Sequence, residues 1–350
     1  MSKGTVLLGM SGGTDSSVAV LLLQEAGYEV TGVTFRFWEE DGKGEYLEDA
    51  KELAAKTGIQ HYALDVRGDF QREIVSYFTN EYLQGRTPVP CVRCNNLLKW
   101  RLLYEEAKRL QIEYIATGHY AIVREYNGLH YIHAGMDPDK DQSFFLWGLE
   151  QPVLRRMILP LGKYTKVQVR EIAAKKGFLK IASKKDSMGV CFCPGDYRPF
   201  LLKMLPPNQK IIRPGNFVDE SGQFIGRHKG YPFYTIGQRR KLGVQLNYPV
   251  FVKDIIPEKN MVVLAKEENI YQQTMFLKEW RLHNPEEVIG QKNIIVKIRY
   301  KKQHNYGIIS YTENDRLKVT FDEPVAAVAP GQAACFYIED RVVGGGIIEK

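Results

Sequence analysis

This 350-residue chain has no long hydrophobic run, and nothing in it approaches the about 18 apolar residues of a membrane span. No membrane partner is expected. Cysteine is scarce, five in all, too few at this length for a disulfide framework. The first residues lead directly into a strand-like segment, so no signal peptide is expected. Both features suit a reducing, cytoplasmic compartment. There is no internal repeat and no low-complexity tract. Two common phosphate-binding signatures are also missing. No glycine-rich loop ends in Gly-Lys-Ser/Thr, and Gly9-Met-Ser-Gly12-Gly13 does not fit G-x-G-x-x-G.

What is present fits a globular protein of about two domains. Hydrophobic residues make up 44% of the chain, and net charge is +7. Split at 205/206, that charge divides into +2 and +5, so the excess lies in the shorter C-terminal part and suits a polyanionic partner. Residues 1–205 alternate strand-like stretches at 30–37, 60–66 and 114–117 with helical patterns at 46–57, 70–83 and 97–110. Such alternation implies a mostly parallel sheet covered on both faces. Residues 121–124 and 129–133, joined through Asn127-Gly128, read as a hairpin; 168–176 and 196–205 read as further helices. Pro206-Pro207 marks a boundary. Beyond it lie short alternating strands, a divide at 269–279, and barrel-like strand spacing from 294 to 348 that includes the tight turn 329–332. The expected class is α/β: a parallel-sheet domain over 1–205, a small β-rich central domain over 206–270, and a C-terminal β-barrel over 271–350.

The stretch LLGMSGGTDSSVAVLLLQ, residues 7–24, carries the strongest local signal. Residues 5–9 read as a buried strand, and 17–24 as a helix with Val18, Leu21 and Leu22 on one face. The residues between them sit where free backbone N–H groups and the helix dipole favour an anion. Gly12 and Gly13 let the backbone come close, and Ser11 and Ser16 offer hydroxyl donors. Asp15 is placed to orient magnesium or phosphates; its alternative role is a helix N-cap.

Four cysteines form two pairs, Cys91-Val-Arg-Cys94 and Cys191-Phe-Cys193, while Cys335 lies alone and reads as packing. The first pair follows GRTPVP, which is neither regular helix nor strand. With Asn95 as a cap for the helix that follows, the Cys94 thiol is expected to feel the helix dipole and the charge of Arg93, lowering its pKa. Three uses stay open: four ligands for a structural metal, zinc in the simplest case; a catalytic pair in which one thiol carries sulfur and another attacks; or an iron–sulfur cluster on three thiols. Spacing alone favours the metal.

SGGTDS resembles the pyrophosphate loop (PP-loop) of the ATP pyrophosphatases, which adenylate a substrate and release pyrophosphate. Taken with YIATGHY, DKDQSFFLWGL, KKDSMGVCF, TIGQRRKLGV, VKIRY and FDEPVAAVAPGQAACFY, the chain is similar to the tRNA-specific 2-thiouridylase family, which thiolates the wobble uridine of certain tRNAs. The resemblance implies a PP-loop domain of the adenine nucleotide alpha hydrolase-like kind, a small central domain and a C-terminal barrel. It implies that Gly9, Met10, Ser11, Gly12, Gly13, Thr14, Asp15 and Ser16 bind the phosphates of ATP, with Phe35 and Gly118 at the adenosine. Cys94 matches the nucleophile; Cys191 matches the persulfide carrier that forms a transient disulfide with it. Val89, Pro90 and Cys91 align with the segment that meets the target base, and Lys140, Asp141, Gln142, Arg299 and Tyr300 with tRNA-contacting segments. His119 and Gln332 match positions that help recognise the tRNA. ATP with magnesium is the implied cofactor, tRNA the partner, and a sulfur-relay protein or cysteine desulfurase the donor. One departure stands out. Where the family reads Asn-Pro-Asp, this chain has Val89-Pro90-Cys91, losing a carboxylate and gaining a thiol; Cys193 is extra as well. Both changes suit an iron–sulfur cluster on Cys91, Cys94 and Cys191.

Loop and thiols together make chemical sense. Adenylating the uridine C2 oxygen creates a leaving group, a cysteine persulfide supplies the sulfur nucleophile, and a second thiol resolves the first. The thiol pair is the expected route, with Cys91 dispensable. Arg239-Arg240-Lys241 and Lys301-Lys302 become phosphate contacts in this frame, and Tyr300 either stacks on a base or fills the barrel core. Two other functions share parts of the pattern. A PP-loop amidotransferase or ligase acting on a small molecule needs no cysteine pair, and a non-catalytic, metal-stabilised RNA-binding protein would not need the loop intact.

Overall fold

The structure, a computed structural model, describes residues 2–39, 44–178, 189–206, 212–300 and 303–349. Pro207, Lys301-Lys302 and the first five residues of KKDSMGVCF lie outside them. Two compact units are interleaved along the chain. The first holds Met1–Ile74, Cys91–Phe192 and Glu339–Val342; the second holds Val75–Pro90, Cys193–Ile338 and Val343–Lys350.

In the first unit, β1 (Thr5–Gly9), β2 (Glu29–Arg36), β3 (Gln60–Asp65) and β4 (Tyr114–Thr117) run parallel in the order β3-β2-β1-β4. Val6, Leu7 and Leu8 are fully buried, as a parallel strand covered on both faces requires. β5 (Ala121–Tyr126) and β6 (Leu129–Ala134) form the expected hairpin, and β7 (Met157–Ile158), too short to show in the sequence, extends the parallel sheet beyond β4. Strand order reverses between β1 and β4, so a crevice opens at their carboxyl ends.

α1 (Thr14–Glu25) and α2 (Glu45–Thr57) cover the sheet beside that crevice. The one-faced reading of α1 does not hold. Ala19, Val20 and Leu23 pack into one core cluster, Val18 and the partly buried Leu22 into another, and Leu21 is only partly buried. A helix that touches both the sheet and a second helix is apolar on two sides, which blurs its period. The helical patterns further on are longer than read. α3 (Arg67–Phe70) passes through π-helical Gln71–Val75 into α4 (Ser76–Leu83); α5 (Pro90–Arg93) passes through π-helical Cys94–Lys99 into α6 (Trp100–Arg109). α7 (Gln151–Leu154) and α8 (Lys166–Lys175) complete the first unit. A Thr165/Gln168 capping box starts α8 two residues before the expected start.

The second unit adds α9 (Tyr197–Met204) and the sheet β10-β11-β8-β9, made of β8 (Gly215–Val218), β9 (Phe224–His228), β10 (Phe251–Ile256) and β11 (Met261–Ala265). Phe217, Val252 and Val262 fill its core. Six further strands follow: β12 (Tyr271–Leu282), β13 (Ile295–Lys297), β14 (Asn305–Tyr311), β15 (Leu317–Ala326), β16 (Ala333–Ile338) and β17 (Arg341–Glu349). They form an antiparallel barrel that closes where Leu277 of β12 pairs with Ile348 of β17. Closure removes exposed strand edges. Most of the stretch read as a divide, 269–279, is in fact the long strand β12.

Candidate active site

The crevice is a cleft of about 420 Å³ in the first unit. Gly9, Met10, Ser11, Asp15, Ser16, Phe35, Gly118, His119, Gln142 and Cys191 line it, all of them singled out in the sequence. Gly12 has φ +67°, and a Cβ there would lie 2.6 Å from the Tyr46 carbonyl oxygen. The loop is pressed onto α2 and only glycine fits. Gly13 is the N-cap of α1, with extended backbone. Its carbonyl accepts from the Ser16 hydroxyl at 3.0 Å and the Ser17 hydroxyl at 2.9 Å, while the Ser11 N–H donates to Ser16 Oγ at 3.3 Å. A Cβ on Gly118 would lie 2.9 Å from the Asp15 carbonyl carbon, so the end of β4 abuts the first turn of α1.

Asp15 is therefore not the N-cap. Its Oδ1 accepts from the Tyr120 hydroxyl at 2.7 Å and from the Lys166 ammonium at 2.7 Å. Lys166 is nearly buried, its side chain 12% exposed, and the sequence reading missed it. The signal was there in Thr165-Lys-Val-Gln168, the capping box that sets Lys166 at the first position of α8. Lys99, which lines the same cleft, was missed too.

The cysteine segment departs from expectation. Asn95 caps nothing: α5 begins at Pro90, Cys94 lies inside a continuous helical run, and the Asn95 amide donates to the Cys91 carbonyl at 2.9 Å. Arg93 donates to the Glu73 carbonyl at 3.0 Å. The Cys94 thiol is accordingly raised, not lowered. Burial is the main cause, and Lys99 opposes it through its charge and its backbone N–H. Burial likewise raises Cys91. Cys191 opens onto the cleft but is hemmed in by protein; burial, then Cys94 and Cys91, push its thiol up to about 12, with Lys99 pulling the other way. The structure thus brings Cys91, Cys94 and Cys191 within electrostatic reach of one another, all as free thiols. Among the described residues no group of three His, Cys, Asp or Glu converges to hold a metal ion. Cys193 is buried in the second unit, as is Cys335.

His119 is buried in the wall of the cleft, Nδ1 2.6 Å from the Thr117 hydroxyl and its ring 5.7 Å from that of Trp100. Burial, with a smaller push from Lys99, holds it neutral. Asp141 accepts from the Gly135 and Ser143 N–H groups at 3.0 Å each, and Gln142 Oε1 accepts from the Tyr120 N–H at 2.9 Å. These contacts shape the loop that also carries Lys140. Val89, Pro90, Arg299, Tyr300 and Gln332 belong to the second unit. There Val89 and Pro90 are buried and Tyr300 is exposed. The Arg299 guanidinium donates to the Ala326 and Ala327 carbonyls at 3.1 Å each. Arg239, Arg240 and Lys241 are exposed.

Three family models match in succession. One described as tRNA methyl transferase HUP domain covers residues 4–195, a tRNA methyl transferase PRC-barrel domain covers 199–266, and an aminomethyltransferase beta-barrel domain covers 272–348. The chain is 57% identical over 347 residues to tRNA-specific 2-thiouridylase MnmA 2 of Phocaeicola vulgatus, covering 99% of this chain and 98% of the relative. It is 55% identical to MnmA 1 of Bacteroides fragilis (98% and 96% covered) and 43% identical to MnmA of Clostridium perfringens (100% and 99%). The chain belongs to the tRNA-specific 2-thiouridylase family. It is a tRNA sulfurtransferase with an ATP-binding PP-loop domain, and its substrate is tRNA. Solved structures match only loosely. The U34-tRNA thiolase NcsA of Methanococcus maripaludis is 18% identical with TM-score 0.38, covering 58% of this chain and 64% of its own. A 4-thiouridine synthetase–RNA complex is 20% identical with TM-score 0.39, covering 55% and 45%. Among the described residues no helix is long and apolar enough to cross a membrane.

Proposed function

We propose that the enzyme uses ATP to adenylate the C2 oxygen of the wobble uridine, position 34, and then transfers sulfur from a persulfide on Cys191, giving 2-thiouridine, AMP and pyrophosphate. The observation that carries this reading is one cleft in which Cys191 faces the pyrophosphate loop while Cys94 and Cys91 act on it electrostatically. Gly9 to Ser16 hold the phosphates, and Phe35 and Gly118 bound the adenosine. Asp15 and the phosphates are suited to hold magnesium, which when bound offsets phosphate charge. The terminal sulfur of the persulfide attacks C2, and the C2–O bond breaks with its electron pair leaving on AMP. Cys94 thiolate then attacks Cys191 Sγ. The S–S bond breaks toward the uridine, leaving a thiocarbonyl on the base and a Cys94–Cys191 disulfide for an external thiol to reduce.

A sulfur-relay protein or cysteine desulfurase charges Cys191, and the reaction runs in the cytoplasm. Val89, Pro90, Cys91, Lys140, Asp141, Gln142, Arg299 and Tyr300 serve the tRNA in this scheme, within a division at 1–205, 206–270 and 271–350. The test is direct: purified enzyme, tRNA, ATP and a sulfur source, with nucleosides read by mass spectrometry. Thiolated uridine with AMP and pyrophosphate is expected. ADP as the only nucleotide product, or no thiolated nucleoside, overturns the reading.

A further inference from the structure

The segment that leads into the cysteines is pinned along its length inside the second unit. The Tyr231 hydroxyl donates to the Leu83 carbonyl at 2.6 Å. Gly85, at φ +70°, is pressed on Pro257 and Ile255, where a Cβ would lie 2.8 and 2.9 Å from their side chains. Arg86 makes a two-pronged pair with the buried carboxylate of Glu81. The last hold before Val89 comes from the barrel turn Ala329–Gln332. Gln332 Nε2 donates to the Thr87 carbonyl at 3.0 Å and the Pro88 carbonyl at 3.1 Å, and the Thr87 N–H donates to the Pro330 carbonyl at 2.8 Å. Gly331 is there because nothing larger fits: at φ +89° a Cβ would lie 2.8 Å from the Thr87 carbonyl oxygen. The turn is itself tied to β17, with the Gly331 N–H donating to the Ile348 carbonyl and the Ile348 N–H to the Gln332 carbonyl.

We infer that Gln332 is a positioning residue for sulfur transfer: its side-chain amide clamps the carbonyls of Thr87 and Pro88 and so fixes where Cys91 and Cys94 begin. The amide donates at once to two adjacent carbonyls that no helix or strand bond uses, three and four residues before Cys91. That is a built contact, not a side chain left open for a ligand. Sequence resemblance had assigned this position to tRNA recognition. The inference rests on the thiolation reading above.

The test uses full-length enzyme with tRNA, ATP and a sulfur source. Gln332→Glu keeps the size but turns an oxygen toward both carbonyls; Gln332→Met is neutral and also lacks the donor, and serves if the first variant fails to fold. Deuterium uptake over 85–91 should rise at least tenfold and single-turnover thiolation should fall at least tenfold. The tRNA dissociation constant should stay within twofold, and tRNA-dependent pyrophosphate release within threefold. Gln332→Lys, which restores a donor, should recover part of the thiolation rate. Weaker tRNA binding with unchanged uptake would make Gln332 a direct tRNA contact and overturn the inference, as would unchanged uptake and thiolation. If the wild-type enzyme itself makes no thiolated uridine, it is the function reading that fails.

Discussion

On the phosphate side of the cleft the short polar side chains are engaged. Ser16 and Ser17 bond the Gly13 carbonyl, and Asp15 takes both Tyr120 and Lys166. On the side that carries Cys94, Asn95 Oδ1, both polar atoms of the Asn96 amide and Trp100 Nε1 are buried with no partner among the described residues. The three thiols there are held protonated, with Lys99 opposing that in each. In the proposed scheme the side that takes the phosphates is bonded within the chain, whereas the side that carries Cys94 lies on a π-helical stretch, a local irregularity often found at functional sites.

The sharpest way to break this comparison is to remove thiols one at a time. Cys94→Ser and Cys191→Ser should each reduce thiolation below detection, while Cys91→Ser should keep most of it. A cluster would need all three, so equal damage from Cys91→Ser, or activity that tracks iron content, would restore the cluster reading. Next in size is the phosphate wall. Asp15→Ala should abolish pyrophosphate release, and Lys166→Met should lower it by about tenfold or more, since the pair shares one 2.7 Å bond beside the loop. Affinity for tRNA in filter binding should be unchanged in both; a parallel loss there would mean the two walls are not separate.

A smaller effect concerns ionisation. With Cys191 pushed up to about 12, its thiolate fraction at pH 8 is roughly 10⁻⁴. Iodoacetamide should therefore label Cys191 far more slowly than an ordinary exposed thiol in the free enzyme, although its sulfur faces the cleft. Lys99→Met removes a cation that opposes the rise in all three thiols, so labelling should slow further, and Lys99→Arg should restore it. Fast labelling of Cys191 near pH 7 would show that the sulfur wall is already activated at rest.

How much of this could be read in advance divides along the same line. The parallel sheet, the hairpin and the loop were legible because their signals are local: buried apolar runs, Asn127-Gly128, and glycines that a turn requires. The barrel was legible as spacing, but not its first strand β12, which looked like a divide. The three thiols were legible as candidates, but their local setting was not. A π-helical turn has no periodicity of its own, so Asn95 looked like a cap and Cys94 like a helix N-terminus, and the sign of its pKa shift came out reversed. Lys99 and Lys166 passed as ordinary surface lysines, because a charged residue facing a cleft and one facing solvent look alike in sequence. That Gln332 would meet Thr87 and Pro88 depends on a contact 244 to 245 residues apart.

The smallest effect tests how dry the thiol wall is. His119 lines the same cleft as Cys191, buried, bonded to Thr117 and close to Lys99's charge, and its folded-state pKa lies well below the ordinary value. The unfolded chain takes up a proton on this imidazole as pH falls through about 6.5, while the folded protein does not. The unfolded state thus binds more protons in that window, and stability rises with pH across it. The stabilisation is fully present above about pH 7 and is lost on acidification, by at most about 1.4 kcal/mol per pH unit for one proton. His283, half-buried and lowered to about 4, has the same sign, so the wild-type slope alone does not isolate His119. The difference from His119→Gln does. Between pH 7.5 and 5.5, urea unfolding should show the wild type losing about 1 kcal/mol more than the variant. Equal losses would mean that His119 gains its proton in the folded state, that water and charge reach the back of the sulfur wall, and that its contrast with the phosphate wall is weaker than the packing implies.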